Sequence, residues 1–142
     1  MARVKLQIPA NEIFATQVIE NIGDINYGNH LGNDSLVTIL HEVRVRWLKS
    51  LERSELNIGG CGLIMADLAV EYKLESFYGD ELSIFISVGE IAGVSFELFY
   101  RVTNHDNKLV AKAKTGMVCY NYDLKKATTI PDSFKKHLLG DK

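Results

Sequence analysis

Three things are scarce in this chain, and each scarcity excludes a class of protein. Its only cysteines, Cys61 and Cys119, form no CxxC and no Cys/His spacing, so neither a metal site nor a disulfide framework is expected, and both thiols are predicted reduced and buried. Long apolar runs are missing too. None approaches the roughly 18 residues of a membrane span, and Met1 to Pro9 has no apolar core of signal-peptide length, so a soluble cytoplasmic protein that does not engage membranes is expected. Charge of one sign is not in excess: 16 basic and 18 acidic residues give a net −2, and no overall attraction to nucleic acid follows. Internal repeats, low-complexity tracts and linkers are absent as well. With 142 residues, 46% of them hydrophobic, the expectation is a single domain over 1–142 with an ordinary core.

What the chain does have is a change of period. Leu36, Ile39, Leu40, Val43, Trp47 and Leu51 step by three or four, which predicts one long helix over about residues 34 to 53. Asn33 or Asp34 can cap it, and Asn57, Gly59 and Gly60 break the pattern afterward. Beyond it the period becomes two. Leu68, Val70 and Tyr72 alternate with Ala69, Glu71 and Lys73, and Leu82, Ile84, Ile86 and Val88 alternate with polar or outward residues. Tyr78-Gly79-Asp80, Ile91-Ala92-Gly93 and Asn104-His105-Asp106-Asn107 read as turns, with a strand from Val94 to Val102 and a last one near 108 to 122. A weaker alternation over Glu12 to Ile19 supplies a first strand, and Pro131, Phe134, Leu138 and Leu139 predict a short terminal helix. Short turns between the later strands imply an antiparallel sheet. A single apolar helix must bury its stripe, so the predicted class is α+β, a curved antiparallel sheet wrapped around one long central helix.

Polar chemistry concentrates immediately before that helix, in Asp24-Ile25-Asn26-Tyr27-Gly28-Asn29-His30-Leu31-Gly32-Asn33-Asp34. A helix start presents unpaired N–H groups and about half a positive charge, which suits an oxygen that becomes negative during acyl chemistry. His30 can donate to such an oxygen, or it can staple the loop. Gly28 and Gly32 permit positive φ or close approach of backbone to a ligand, and ordinary turn duty serves equally well.

The order of these elements, the loop, Leu40-His41-Glu42-Val43-Arg44, Val70-Glu71-Tyr72, Tyr78-Gly79-Asp80 and Lys108 to Ala113 together resemble the hotdog-fold acyl-CoA thioesterases of the 4-hydroxybenzoyl-CoA thioesterase type. The likeness covers nearly the whole chain. Members often read Asp-x-Asp-x-x-Gly-His-x-Asn-Asn before the helix, with the second Asp as the catalytic carboxylate. Aligned on His30, Asp24 takes the first position and Asn26 the second, Asn29 stands for the Gly, and Gly32-Asn33 stands for the Asn-Asn pair. The loop is kept and the expected base is lost.

A neutral amide cannot take a proton at pH 7, and general-base help is worth about 10²–10⁴ in rate, roughly 3–5 kcal/mol of barrier. The resemblance therefore implies that Asn26 and His30 position water or substrate while Asp34 or Glu42 takes the proton. Asp34 can instead be a plain cap, and Glu42 can instead pair with Arg46 one turn on. Asp24, Tyr27, Gly28, Asn29, Gly32 and Asn33 would line the substrate. Lys125, Lys126, Lys135 and Lys136 can meet coenzyme A phosphates or form a solvated face, and His41, His105 and His137 show no partner pattern.

The resemblance further implies hydrolysis of an acyl-CoA to free acid and CoA, with no metal, no cofactor beyond the coenzyme A of the substrate, and a homodimer or homotetramer. Two other functions fit the loop. One is a hydratase or dehydratase on the same fold using Asp24 and His30, whose Asp-x-Asn-Pro-x-His motif is matched only at its start. The other is a non-catalytic acyl-CoA-binding protein, motivated by Asn26.

Overall fold

A computed structural model of the protein describes residues 3–21 and 32–140, without the side chains of Asn33 and Asp34. The expected site residues Asp24, Asn26, Tyr27, Gly28, Asn29 and His30 lie outside the described residues. The described elements run in the order β1 (Glu12–Ile19), α1 (Asn33–Ser50), β2 (Gly62–Tyr72), β3 (Glu81–Ile91), β4 (Ser95–Thr103), β5 (Leu109–Asn121), β6 (Lys126–Ala127) and α2 (Asp132–Leu138). All ladders are antiparallel, in the order β1-β3-β4-β5-β2, with β6 added to β5. This is the hotdog arrangement that the family resemblance implied.

Alternation decides which face meets the helix. Leu82, Ile84, Ile86 and Val88 of β3, and Phe96, Leu98, Tyr100 and Val102 of β4, are buried together with Ala113, Met117 and Cys119 of β5. Register aligns them: Ile86 stands opposite Tyr100, Tyr100 opposite Ala113, and Ala113 opposite Val70. Onto this row α1 lays Leu36, Ile39, Leu40, Val43, Trp47 and Leu48, all buried. Each such side chain contributes about 1.5–3 kcal/mol by leaving water, so the stripe fixes the helix on the sheet. At its C-terminal end α1 is held by α2, where Phe134 sits between Trp47 and Phe96 with ring centroids 5.7 and 5.8 Å away.

Three expectations need correction. The strand expected from Leu68 starts at Gly62, because a register shift between Met65 and Asp67 breaks the alternation and hides its first half. Tyr78-Gly79-Asp80 does turn, with Gly79 at φ +82°, but the strands around it are not a hairpin. β2 pairs with β5, and β3 lies between β1 and β4. The connection from 73 to 80 can reach about 26 Å extended, ample to cross three strand spacings of about 4.8 Å. Finally, Gly32 is the residue that caps α1, with φ −73° and ψ 151°. Asn33 and Asp34 already belong to the helix, and a glycine has no side-chain oxygen to offer the first turn.

Candidate functional site

The start of α1 follows Gly32, which is buried. Gly32 itself offers the first turn no side-chain cap, and a ladder bond runs from Leu36 N–H to the Gly32 carbonyl at 3.0 Å. The first helical N–H groups after Gly32 are thus the donors that an acyl oxygen could use. Just after β1, Glu20 has a buried side chain, 1% exposed. Its amide donates to the Asp80 carbonyl at 3.0 Å, and its own carbonyl accepts from Gly79 at 3.1 Å. Sequence reasoning missed this carboxylate, since nothing in a strand-end glutamate announces burial.

Two flanks of α1 differ in chemistry. On one, Arg46 donates to Thr16 Oγ1 at 3.1 Å and to the Gln17 carbonyl at 2.8 Å, tying the helix to β1. The same guanidinium donates to Glu42 at 2.8 Å, the i,i+4 pair that the sequence allowed. Glu42 therefore sits on the β1 flank. Gly32 and the backbones of Asn33 and Asp34 lie roughly 12 Å or more up the axis from it, at about 1.5 Å per residue.

The other flank holds a polar chain that the sequence reading did not foresee. Buried Arg44 donates to Tyr100 Oη at 3.3 Å, and Tyr100 Oη shares a hydrogen bond with Thr115 Oγ1 at 2.8 Å. Burial pushes the Tyr100 phenol above its ordinary range, against the opposing pull of Arg44. Arg44 Nε stands 3.7 Å from Glu55, and the other oxygen of Glu55 meets His41 Nε2. Leu63 of β2 donates to the Glu55 carbonyl at 2.7 Å, so this is the β2 flank. His41, expected to be without a partner, has a carboxylate. No local spacing could have shown it, because the chain reverses between the two residues, with Glu52 at φ +59°.

Among the described residues β2 is an edge strand, and part of its inner face is exposed. Met65, Leu68 and Tyr72 are 42%, 37% and 47% exposed, although their register partners Met117, Thr115 and Ala111 are buried. Elsewhere a cavity of about 530 Å³ lies between β1 and the far end of α1, lined by Phe14, Trp47, Leu51 and His137. It stands roughly 20 Å along the axis from the helix start. On the outer face of the sheet Asp67 accepts from Lys114 at 2.9 Å and from the Gly116 amide at 2.8 Å. The lysine hydrogen bond holds the Asp67 carboxyl below its ordinary range. Lys125, Lys126, Lys135 and Lys136 are all exposed, and Cys61 and Cys119 are free and buried as expected. Among the described residues no helix is long and apolar enough to cross a membrane.

This frame, a sheet rolled around one helix that starts after a glycine, is that of a thioesterase-type hotdog protein. The chain belongs to the thioesterase-like superfamily, whose family model matches residues 21–138. Solved structures share the fold. A 1,4-dihydroxy-2-naphthoyl-CoA thioesterase from Synechocystis is 19% identical with a TM-score of 0.81, covering 89% of this chain and 95% of its own. A Staphylococcus aureus protein solved in complex with CoA is 18% identical with a TM-score of 0.80, over 98% and 90%. A DHNA-CoA thioesterase from the same organism is 18% identical with a TM-score of 0.76, over 86% and 83%. No curated protein sequence matches the chain.

Proposed function

We propose that the protein hydrolyses an acyl-CoA thioester to the free acid and CoA, in the cytoplasm. The observation that carries this reading is the thioesterase-like family match, which spans both the polar loop and α1. The two CoA-thioesterase neighbours and the CoA-bound one support the choice of carrier. In this reading the first N–H groups of α1, after Gly32, polarise the thioester carbonyl, and one such donor is worth roughly 3–4 kcal/mol. Asn26, in place of the usual aspartate, orients water with His30, and Asp34 or Glu42 accepts its proton. Glu42 must give up Arg46 to do so. Asp24, Tyr27, Gly28, Asn29, Gly32 and Asn33 line the substrate.

The reading also includes a homodimer built across β2. An edge strand of 11 residues that exposes Ile64, Met65, Leu68 and Tyr72 is an open template for another strand. Two-fold pairing along it would extend the sheet and cover these side chains. Leu68→Lys is expected to leave a folded monomer, read by sedimentation equilibrium. A variant that sediments like the wild type would move the interface elsewhere.

The deciding assay is release of free thiol from acyl-CoAs of graded chain length. Thiol release, impaired in Glu42→Gln or Asp34→Asn, is expected. Tight CoA binding without release from any acyl-CoA would make the protein a binder and end the enzymatic reading.

A further inference from the structure

We propose that the cavity between β1 and the far end of α1 is a binding site for an apolar carboxylic acid, separate from the polar loop and the start of α1. Its walls are held in place by the fold itself. At the entry of β1, Asn11 donates to the Leu138 carbonyl of α2 at 2.9 Å, and farther along the strand Arg46 of α1 donates to Thr16 Oγ1 and to the Gln17 carbonyl. Between these two anchors a register shift from Glu12 to Phe14 bends the strand. The cavity of about 530 Å³ opens there, a volume within the roughly 300–1,000 Å³ of small-molecule sites.

The lining is apolar with one polar handle. Ile13, Phe14 and Leu51 are only partly buried against the core, and Trp47 stands behind them at 2% exposure. A ligand that covers these side chains removes apolar surface from water. His137 is the handle. It is half-buried, it lines the cavity, and its ring meets that of Phe134 edge-on with centroids 6.4 Å apart. An imidazole N–H there can donate to a carboxylate. Positive charge gathers at the same wall, because the last turn of α2 carries Lys135 and Lys136 beside His137, and both lysines are exposed. Glu12 is the one carboxylate in the lining, and it stands 3.8 Å from Arg101, whose guanidinium lies over Phe85. Its charge is thereby opposed. An amine would face three basic side chains, and an alcohol would gain a hydrogen bond without the charge. An apolar acid uses both the walls and the handle. Trp47 is 14 residues beyond Asn33, about 21 Å along the axis, so an acid held here does not touch the start of α1. The site does not depend on the thioesterase reading, although a free acid is the product which that reading assigns.

Trp47 is the only tryptophan of the chain, so its emission reports this cavity directly. Octanoate, octan-1-ol and octylamine share one tail and differ in the head. Octanoate is expected to shift Trp47 emission saturably and to bind about tenfold more tightly than either of the others, the difference that charge adds to a hydrogen bond. His137→Leu, which keeps an apolar contact with Phe134, should weaken octanoate about 10–100-fold and octan-1-ol far less. Leu51→Glu, which sets a second carboxylate in the wall, should abolish the octanoate response. Melting temperature checks that both variants fold, and the half-buried His137 position still decides where Leu51→Glu does not. The absence of a saturable response to octanoate, equal binding of all three heads, tighter binding of octylamine, or an octanoate affinity untouched by His137→Leu each overturns the assignment. Thiol release from acyl-CoAs, measured alongside, tests the other reading: a wild type without it removes the thioesterase reading and leaves a saturable octanoate site standing.

Discussion

Tyr100→Phe removes one oxygen from the interior, and the structure lets its cost be worked out. That oxygen lies 2.8 Å from Thr115 Oγ1 and 3.3 Å from Arg44 Nη1. Both neighbours are buried, Thr115 at 0% and Arg44 at 6% exposure, so water cannot replace it without opening the core. The bond to Thr115 is worth about 1 kcal/mol net, and the longer one from a charged donor about 1.5–3 kcal/mol. Together with the orphaned donor, the expected loss is about 2–4 kcal/mol, a large share of the ~5–15 kcal/mol that holds a typical domain together. Urea unfolding at fixed protein concentration should show it as a midpoint lowered by about 1–2 M, taking a slope near 2 kcal/mol per M. Thr115→Val alone should also destabilise, but the double variant should cost less than the sum, because the hydroxyl left stranded by the first change is gone in the second. A Tyr100→Phe protein within about 0.5 kcal/mol of the wild type, the size of an ordinary surface change, would refute the reasoning. Arg44 and Thr115 would then have other partners.

Phe134→Ala should cost about 3–5 kcal/mol in the same assay, since its ring fills the space between Trp47 and Phe96 and closes one end of the core. Burial holds the Cys119 thiol protonated, pushed up to about 12 from 9.0. A raised folded value means that its contribution is complete below pH 9 and is lost as pH climbs toward 12. Cys119 should accordingly stay unreactive to a thiol reagent at neutral pH until denaturant is added, and prompt labelling of both cysteines in the native protein would contradict the packing described here.

Local pattern and long-range pairing were unequally legible, and the helix shows why. A 3.6-residue apolar stripe from Leu36 to Trp47 states that α1 exists and which side it buries, because period alone carries that information. Strand alternation likewise marked β3, β4 and β5, while the break at Met65 to Asp67 cost β2 its first half. Sheet order is not a local property, so nothing in the turn at Gly79 could say that β2 pairs with β5. The same limit governed the site. Glu42 and Arg46, one turn apart, are visible to any helical reading, whereas His41 and Glu55 meet only after the chain has left the helix and reversed. Positions 41 and 42 differ by about 100° around the axis, and which of them faces β1 and which faces β2 depends on the strand order that the sequence could not display. The ion pair legible from spacing thus falls on one flank of α1, and the one made only by the folded chain falls on the other.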